Sequence, residues 1–137
     1  MVKQLVHDPF FLSVKSTPAD KSDAAVGADL LDTLRAHRET CVGMAANMIG
    51  VSKRIIAFSD MGTYTLMYNP EIISKSGEFE TEESCLSLLG GPRKTTRFKI
   101  IKVSFQNEKF VKVTRSFSGF TAQIIQHELD HCNGVLI

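Results

Sequence analysis

The sequence lacks a long apolar run, and this absence argues against a membrane protein. No stretch approaches the ~20 consecutive apolar residues that a transmembrane helix needs. The first residues, 1–4, lead into charged and polar residues without an apolar segment of the signal-peptide type. We therefore expect a cytoplasmic protein that makes no membrane contact.

Cysteine is also scarce, and neither sign of charge predominates. The three cysteines, Cys41, Cys85 and Cys132, are an odd number and too few for a disulfide scaffold, so reduced thiols are expected. Sixteen Lys and Arg residues against fifteen Asp and Glu residues give a formal net charge of +1. This balance offers no electrostatic argument for binding nucleic acid or an anionic membrane.

The 137 residues have an ordinary globular composition, 43% hydrophobic and 23% charged. This length predicts a single domain, residues 1–137, with room for a substantial core. Apolar residues at three- and four-residue steps predict a helix over about 21–38 and another over about 121–132. Asn133-Gly134 fits a stop for the second helix.

The segments between the two helices have the pattern of strands. Residues 9–18 read as extended, and residues 41–50 form a stretch of small residues between glycines, suited to close approach of the backbone. Strands are predicted at 55–58, at 63–68 ending on Asn69-Pro70, from 72 onward, at 98–105 and at 110–114. The order lacks βαβ alternation, so it predicts an α+β fold with antiparallel sheets.

The most informative stretch lies in the second helix, at Gln126–His131. Histidines four positions apart lie on one face of a helix, so His127 and His131 can bind the same metal ion. Glu128 is then within reach of a water on that metal and is suited to act as its base. The pattern therefore indicates a metal site and a hydrolytic reaction.

Two histidines on a helix require a further protein ligand, while an open position holds water. Cys85 is the favoured candidate, because it lies in a polar segment before a glycine break where the chain can curve against a helix. Cys132 adjoins the motif but points away from the histidine face. The remaining candidates are Cys41, His7 and His37.

With these residues identified, the chain resembles the peptide deformylases. The family has a Gly-x-Gly-φ-Ala-Ala-x-Gln stretch, a Glu-Gly-Cys-Leu-Ser stretch and a Gln-His-Glu-φ-Asp-His stretch. Here they read Cys41–Met48, Glu83–Ser87 and Gln126–His131, in the same order and at similar spacing. The resemblance extends from about the first helix to the C-terminus. It implies antiparallel sheets packed around a central metal-binding C-terminal helix.

The resemblance also implies the chemistry. The metal ligands fall on Cys85, His127 and His131, the general base on Glu128, and one oxyanion donor on the backbone N–H of Leu86. The expected metal is Fe²⁺, with Ni²⁺, Co²⁺ or Zn²⁺ as replacements in preparations. The expected reaction removes the formyl group from the formyl-methionine of nascent polypeptides and releases formate. The partner is then an N-formylmethionyl peptide, met at the ribosome.

One position departs from the family in a way that bears on turnover. Met48 stands where the family has a glutamine, and its thioether donates no hydrogen bond. Losing one oxyanion donor typically lowers kcat by roughly 10²–10³. We therefore expect a deformylase of reduced activity. The alternative is a deformylase-like protein that binds metal and peptide without turnover, and a general zinc peptidase is disfavoured by the Cys85 motif.

Several further residues have two interpretations each. Glu83 either orients a ligand or belongs to a solvated acidic cluster. Asp130 and Arg97 are expected to pair and fix the metal helix, against two unrelated surface charges. Gln126 either bonds near the metal loop or is an ordinary helix residue. Arg93 is a candidate contact for substrate carbonyls.

The resemblance places an extended peptide alongside a strand, with its methionine side chain in an apolar pocket. Gly43 and Met44 are expected to border that cleft together with Met48. The Met44 side chain is assigned equally to the pocket or to the core. Cys41 and Ser84 replace two family glycines and are expected to narrow the cleft.

Overall fold

The computed structural model describes residues 1–85 and 91–137, in which three α-helices and five strands are found. The helices are α1 (Pro9–Leu12), α2 (Ala24–Ala36) and α3 (Gly119–Cys132), with short 3₁₀ turns at Lys21–Asp23 and Ala46–Ile49. The strands are β1 (Gly43–Ala45), β2 (Ile55–Asp60), β3 (Thr63–Glu83), β4 (Arg93–Gln106) and β5 (Lys112–Ser118).

The strands form one antiparallel sheet in the order β1-β2-β3-β4-β5, so every strand pairs with its neighbour in sequence. β1 and β5 are the edges of this sheet. The arrangement agrees with the predicted α+β class, and helix α3 agrees with the helix predicted over 121–132. Helix α2, with the 3₁₀ turn before it, covers most of the helix predicted over 21–38.

The predicted strand end at Asn69-Pro70 is wrong, because β3 continues through it. The register with β4 shifts between Tyr68 and Glu71, so the proline falls in an irregularity of the ladder. Asn69 has a φ of 53°. Its side-chain Oδ1 accepts a hydrogen bond from the N–H of Ala19, and its Nδ2 donates one to the carbonyl of Ala19. These side-chain bonds hold a left-handed residue within the strand.

The extended conformation predicted for residues 9–18 is interrupted by helix α1. Asp8 caps it by accepting from the N–H of Phe10, and Pro9 occupies the first helical position. These are common helix-start features. Four residues are too few for the periodicity that the sequence pattern relies on.

The two long helices pack on opposite faces of the sheet. Along β2, Ile56 and Phe58 contact the core cluster that includes α3, whereas Ile55 and Ala57 contact the cluster that includes Leu30 of α2. This follows from the alternation of side chains along a strand. Within the described ranges, no helix has the length and apolar character needed to cross a membrane.

Candidate active site

Helix α3 brings both predicted histidines and the predicted base into the interior. It begins at Gly119, whose φ of 62° suits a residue without Cβ, and it ends at Cys132 before Gly134, which is also left-handed at 75°. His127, Glu128 and His131 are 8%, 3% and 4% exposed. Such burial of three ionisable side chains requires partners within the fold.

Cys85 meets the two histidines just after the end of β3. One ligand atom from each of Cys85, His127 and His131 lies within 4.8 Å of the others. Two buried polar atoms beside them, His131 Nδ1 and Glu128 Oε1, have no hydrogen-bond partner among the described residues. One thiol and two imidazoles are ligands that suit a transition metal, so these residues fit the metal that the sequence predicts.

A carboxylate from the sheet orients His127. Its Nδ1 lies 2.8 Å from Glu83 Oε1, so the N–H of this nitrogen donates and Nε2 is left for a metal. Burial disfavours the charged ring, but hydrogen bonds to Cys85 and Glu83 outweigh it and raise the pKa of His127 to about 10. The proton on Nε2 must therefore leave when a metal takes its place.

His131 has the opposite electrostatic environment. Burial and the nearby charge of His127 lower the pKa of His131 to about 3, so this ring is neutral at pH 7. Its Nε2 lies 3.3 Å from the carbonyl oxygen of Ile137, and donation from Nε2 leaves the Nδ1 lone pair free. A neutral imidazole is the form that binds metals.

Glu128 is a buried carboxyl group beside His127 and His131 on helix α3. Its pKa is in the range that suits a general base. Burial raises the pKa of Glu128 to about 7. Its Oε1 is 3.5 Å from His131 Nδ1, while Oε2 lies against Gly43 of β1. A general base is most effective when its pKa is close to the working pH.

Glu83 is the centre of a buried hydrogen-bond network. Besides His127, it accepts from Arg97 at 2.7 and 3.1 Å and from Gln123 Nε2 at 2.8 Å. Burial alone disfavours its charged form, but the bonds from these three side chains lower the pKa of Glu83 to about 2. Arg97 also contacts Asp130 at 2.7 Å, so the structure brings together the pair expected from sequence.

Gln123 was not predicted from the sequence. It lies one turn before His127, which is a signal that the helical spacing offers, but its partner Glu83 is forty residues away in the sequence. Gln126, among the described residues, bonds β4 and its own helix. Its amide bonds the N–H and carbonyl of Phe98 at 2.8 Å each and so ties α3 to β4.

A cavity of about 360 Å³ opens beside the cluster of Cys85, His127 and Glu128. Its other walls include residues of the β1 region and of α3: Cys41, Val42, Gly43, Met48, Phe120, Gln123 and Ile124. Gly43 lines this cavity, and a Cβ added there would lie 2.7 Å from Ile124 and 2.9 Å from Glu128. The absence of a side chain at Gly43 therefore makes room for the base.

Met44 is not among the described residues that line the cavity, and its side chain takes the core position of the two that the sequence left open. The side chain is fully buried in the cluster that includes α2, because it points to the opposite face of β1 from Gly43. Met48 is 1% exposed and lines the cavity from the 3₁₀ turn. The adjacent Asn47 faces α3, where its Nδ2 donates to the carbonyl of His131 at 3.0 Å.

Among the described residues, the other candidate ligands are not part of the group formed by Cys85, His127 and His131. Cys132 is buried in the core, which raises its pKa to about 12, and His37 Nδ1 is 2.9 Å from the Thr33 carbonyl. Cys41 lines the cavity, but its thiol donates to the Gly43 carbonyl at 2.9 Å. His7 lies on the exposed surface.

Two predicted residues are not placed at the site. Leu86, the expected backbone donor, lies outside the described residues. Arg93 begins β4, where its Nη1 is 3.5 Å from the Gly91 carbonyl, and it is not among the described residues that line the cavity. Its contact with substrate stays a prediction.

The sequence model of the polypeptide deformylase family matches residues 4–137. The chain belongs to this family. It is 53% identical to a peptide deformylase of Clostridium beijerinckii, over all of both chains. The crystal structure of a peptide deformylase from Legionella pneumophila is similar with a TM-score of 0.88 and 31% identity, covering 99% of this chain and 83% of the other. The peptide deformylase of Thermotoga maritima gives the same TM-score at 29% identity, covering 99% and 95%.

Membership of the family agrees with the three motifs and with the α+β fold. The ligand cluster and the family together support a metal cofactor. Met48, at the last position of the first motif, lines the cavity.

Proposed function

We propose that this chain is a peptide deformylase, which hydrolyses the formyl group from N-formylmethionyl peptides and releases formate. Cys85, His127 and His131 hold one divalent metal, and Glu128 is the general base. The observation that carries the proposal is the convergence of three ligand atoms within 4.8 Å beside a buried carboxylate oxygen that has no hydrogen-bond partner in residues 1–85 and 91–137. Family membership supports the same reaction.

The metal supplies a Lewis acid and lowers the pKa of a bound water when it is present. We propose Fe²⁺ as the native ion, with Ni²⁺, Co²⁺ or Zn²⁺ as substitutes. A thiolate donates more charge than a carboxylate, so Cys85 moderates the acidity of the ion. Glu83 keeps His127 oriented by holding the proton on its Nδ1.

Glu128 moves the proton in this proposal. With a pKa raised to about 7 by burial, its carboxylate accepts a proton from the attacking water and returns it to the leaving amine. The side chain is buried, with 3% of its surface exposed. Gly43 leaves the carboxylate the space that any larger residue would occupy.

The peptide lies in an extended conformation along β1. This strand is an edge of the sheet and forms part of the cavity wall through Gly43, so its backbone is placed to pair with a substrate strand. The methionine side chain enters the cavity beside Phe120 and Ile124. Arg93 is retained as a contact for substrate carbonyls, and Leu86 as a backbone donor to the oxyanion. Substrate is met at the ribosome in the cytoplasm.

Formate release from a formyl-Met peptide by the nickel-loaded protein tests the proposal. We expect turnover by the wild type and a loss of about 10²-fold or more in Glu128→Gln, which keeps the shape of the side chain but removes the base. Thr121→Val is the control, because it removes a hydrogen bond of α3 to Asp60 away from the cavity. Equal rates for wild type and Glu128→Gln would rule out the assigned base.

A second candidate function is metal-dependent peptide binding without turnover, and Met48 is the observation that favours it. If the wild type releases no formate but binds formyl-Met peptide, and Glu128→Gln binds it equally, this second function replaces the first. Binding is measured by calorimetry with nickel-loaded protein.

A further inference from the structure

The Gln123 side chain stands between the cavity and the carboxylate that orients a metal ligand. It lies one turn before His127 on α3, on the same face of the helix. Its Nε2 donates to Glu83 Oε2 at 2.8 Å, and part of its side chain lines the cavity. A polar residue therefore occupies part of a wall expected to be apolar.

The two oxygens of Glu83 have different donors. Oε1 accepts from His127 Nδ1 at 2.8 Å and from Arg97 Nη2 at 2.7 Å. Oε2 accepts from Gln123, and Arg97 Nε lies 3.1 Å from both oxygens. Among the donors of the described residues, Gln123 is thus the one that bonds Oε2 and not Oε1.

This division of donors has a mechanical consequence. Arg97 has a planar guanidinium that can bind a carboxylate in more than one side-on arrangement. Without the bond from Gln123, Oε2 keeps only the longer contact with Arg97 Nε, so the carboxylate turns more easily about the guanidinium and draws Oε1 away from His127. The bond from Gln123 opposes that rotation. It also contributes to the lowered pKa of Glu83, as expected of a donor to the charged form.

We propose that Gln123 is a positioning residue: it fixes the rotation of the Glu83 carboxylate and so keeps the His127 ring oriented for the metal, and it links this network to the cavity wall. The role rests on the proposed metal site and deepens it. Outer groups that orient a metal ligand commonly account for 10–100-fold in metal affinity or activity.

Cobalt titration of metal-free protein, with a chelator as competitor, tests this role without turnover. We expect Gln123→Leu, which has a similar size but no donor, to raise the Kd for Co²⁺ about 10-fold or more. The visible absorption of the bound cobalt should also change, because the ligand geometry becomes less uniform. In metal-free protein, the Nδ1–H resonance of His127 should exchange faster with water. With peptide substrate, kcat should fall while KM does not rise.

Two comparisons separate positioning from a general loosening of the helix. Thr121→Val removes another hydrogen bond of α3, to Asp60, and should leave the cobalt Kd unchanged. In a Glu83→Ala background, Gln123→Leu should add nothing to the loss of affinity, because its acceptor is gone. Additive losses would place the effect outside Glu83 and overturn the proposal.

The remaining outcomes are also decisive. If Gln123→Leu binds cobalt as tightly as the wild type, or changes KM alone, Gln123 only lines the cavity and the positioning role is wrong, while the deformylase proposal stands. If the wild type itself binds no cobalt, the metal site and the positioning role fail together.

Discussion

At the scale of single residues, the site depends on a missing side chain as much as on those present. Gly43 is placed so that an added Cβ would lie 2.7 Å from Ile124 Cγ2 and 2.9 Å from Glu128 Oε2. Distances of this kind require a neighbour to move. The small-residue segment around it could be recognised in the sequence, but only the packing against α3 shows which group it makes room for.

Gly43→Ala should therefore displace Glu128 and slow the reaction. Overpacking of this kind typically lowers stability by about 1–3 kcal/mol. We expect the rate of formate release by nickel-loaded protein to fall even at temperatures well below the melting temperature of the variant. The loss of activity then cannot be explained by unfolded protein. Met44→Leu is the control, because that side chain points to the other face of β1. A Gly43→Ala variant with normal kcat would show that the added Cβ does not displace Glu128.

Met48→Gln should raise kcat, because it restores a donor where the thioether has none. An oxyanion donor is worth about 10²–10³ in kcat. Met48→Leu is the matched control, since it is of similar size and also donates nothing, and it should show no such gain. Circular dichroism checks that the buried amide does not unfold the 3₁₀ turn. No gain from glutamine would mean that another group already serves the oxyanion.

At the scale of elements, the sequence predicted α3 well because its pattern is local. The histidine spacing and the Asn133-Gly134 stop depend only on neighbours within the helix. The side of the sheet that Met44 takes could not be predicted, because β1 is three residues long and too short for its alternation to show which face is buried. Gln123 was missed because its role comes from a contact with β3, which no helical pattern reveals.

The end of β3 is joined to α3 by the Glu83 network, and this junction should make stability depend on pH. The pKa of Glu83 is lowered from its ordinary value of 4.5 to about 2. A carboxyl group whose pKa is lowered by folding stabilises the folded state at pH values above its ordinary pKa. This contribution is lost as the pH falls from about 4.5 through about 2. At about 1.4 kcal/mol per pKa unit, the contribution is on the order of 2 kcal/mol once partial exposure is discounted.

Urea unfolding of metal-free wild type and Glu83→Gln measures this contribution. The wild type should be more stable by on the order of 2 kcal/mol at pH 7, and the difference should shrink toward pH 2, where Glu83 is protonated in the unfolded state and about half protonated in the folded state. In the folded protein Glu128 and His127 have pKa values of about 7 and about 10, above this range, so the change between pH 4.5 and pH 2 reports on Glu83. A difference that stays constant over this range would exclude the charge of Glu83 as its source.

At the scale of the whole molecule, the site joins parts of the chain that are far apart in the sequence. Cys85 follows β3, His127 and His131 lie on α3, and Asn47 ties the first motif to α3 through the His131 carbonyl. The order of the motifs along the chain is enough to predict the three candidate ligands that the fold brings together. The geometry of these ligands could not be predicted, because it depends on the pairing of β3 with β4. The sequence predicted that a strand ends at Asn69-Pro70, whereas β3 continues through a register shift there.

Metal binding should therefore stabilise the whole fold rather than one loop. A ligand that binds the folded state at 100 times its Kd adds about 2.7 kcal/mol of stability, which for a domain of this size raises the melting temperature by roughly 10 °C. Cobalt should produce this rise in the wild type. It should not do so in Cys85→Ala, which lacks one of three ligands, whereas Cys41→Ala should keep the rise because its thiol bonds the Gly43 carbonyl instead. A cobalt-induced rise in Cys85→Ala equal to that of the wild type would mean that the metal is held by other residues.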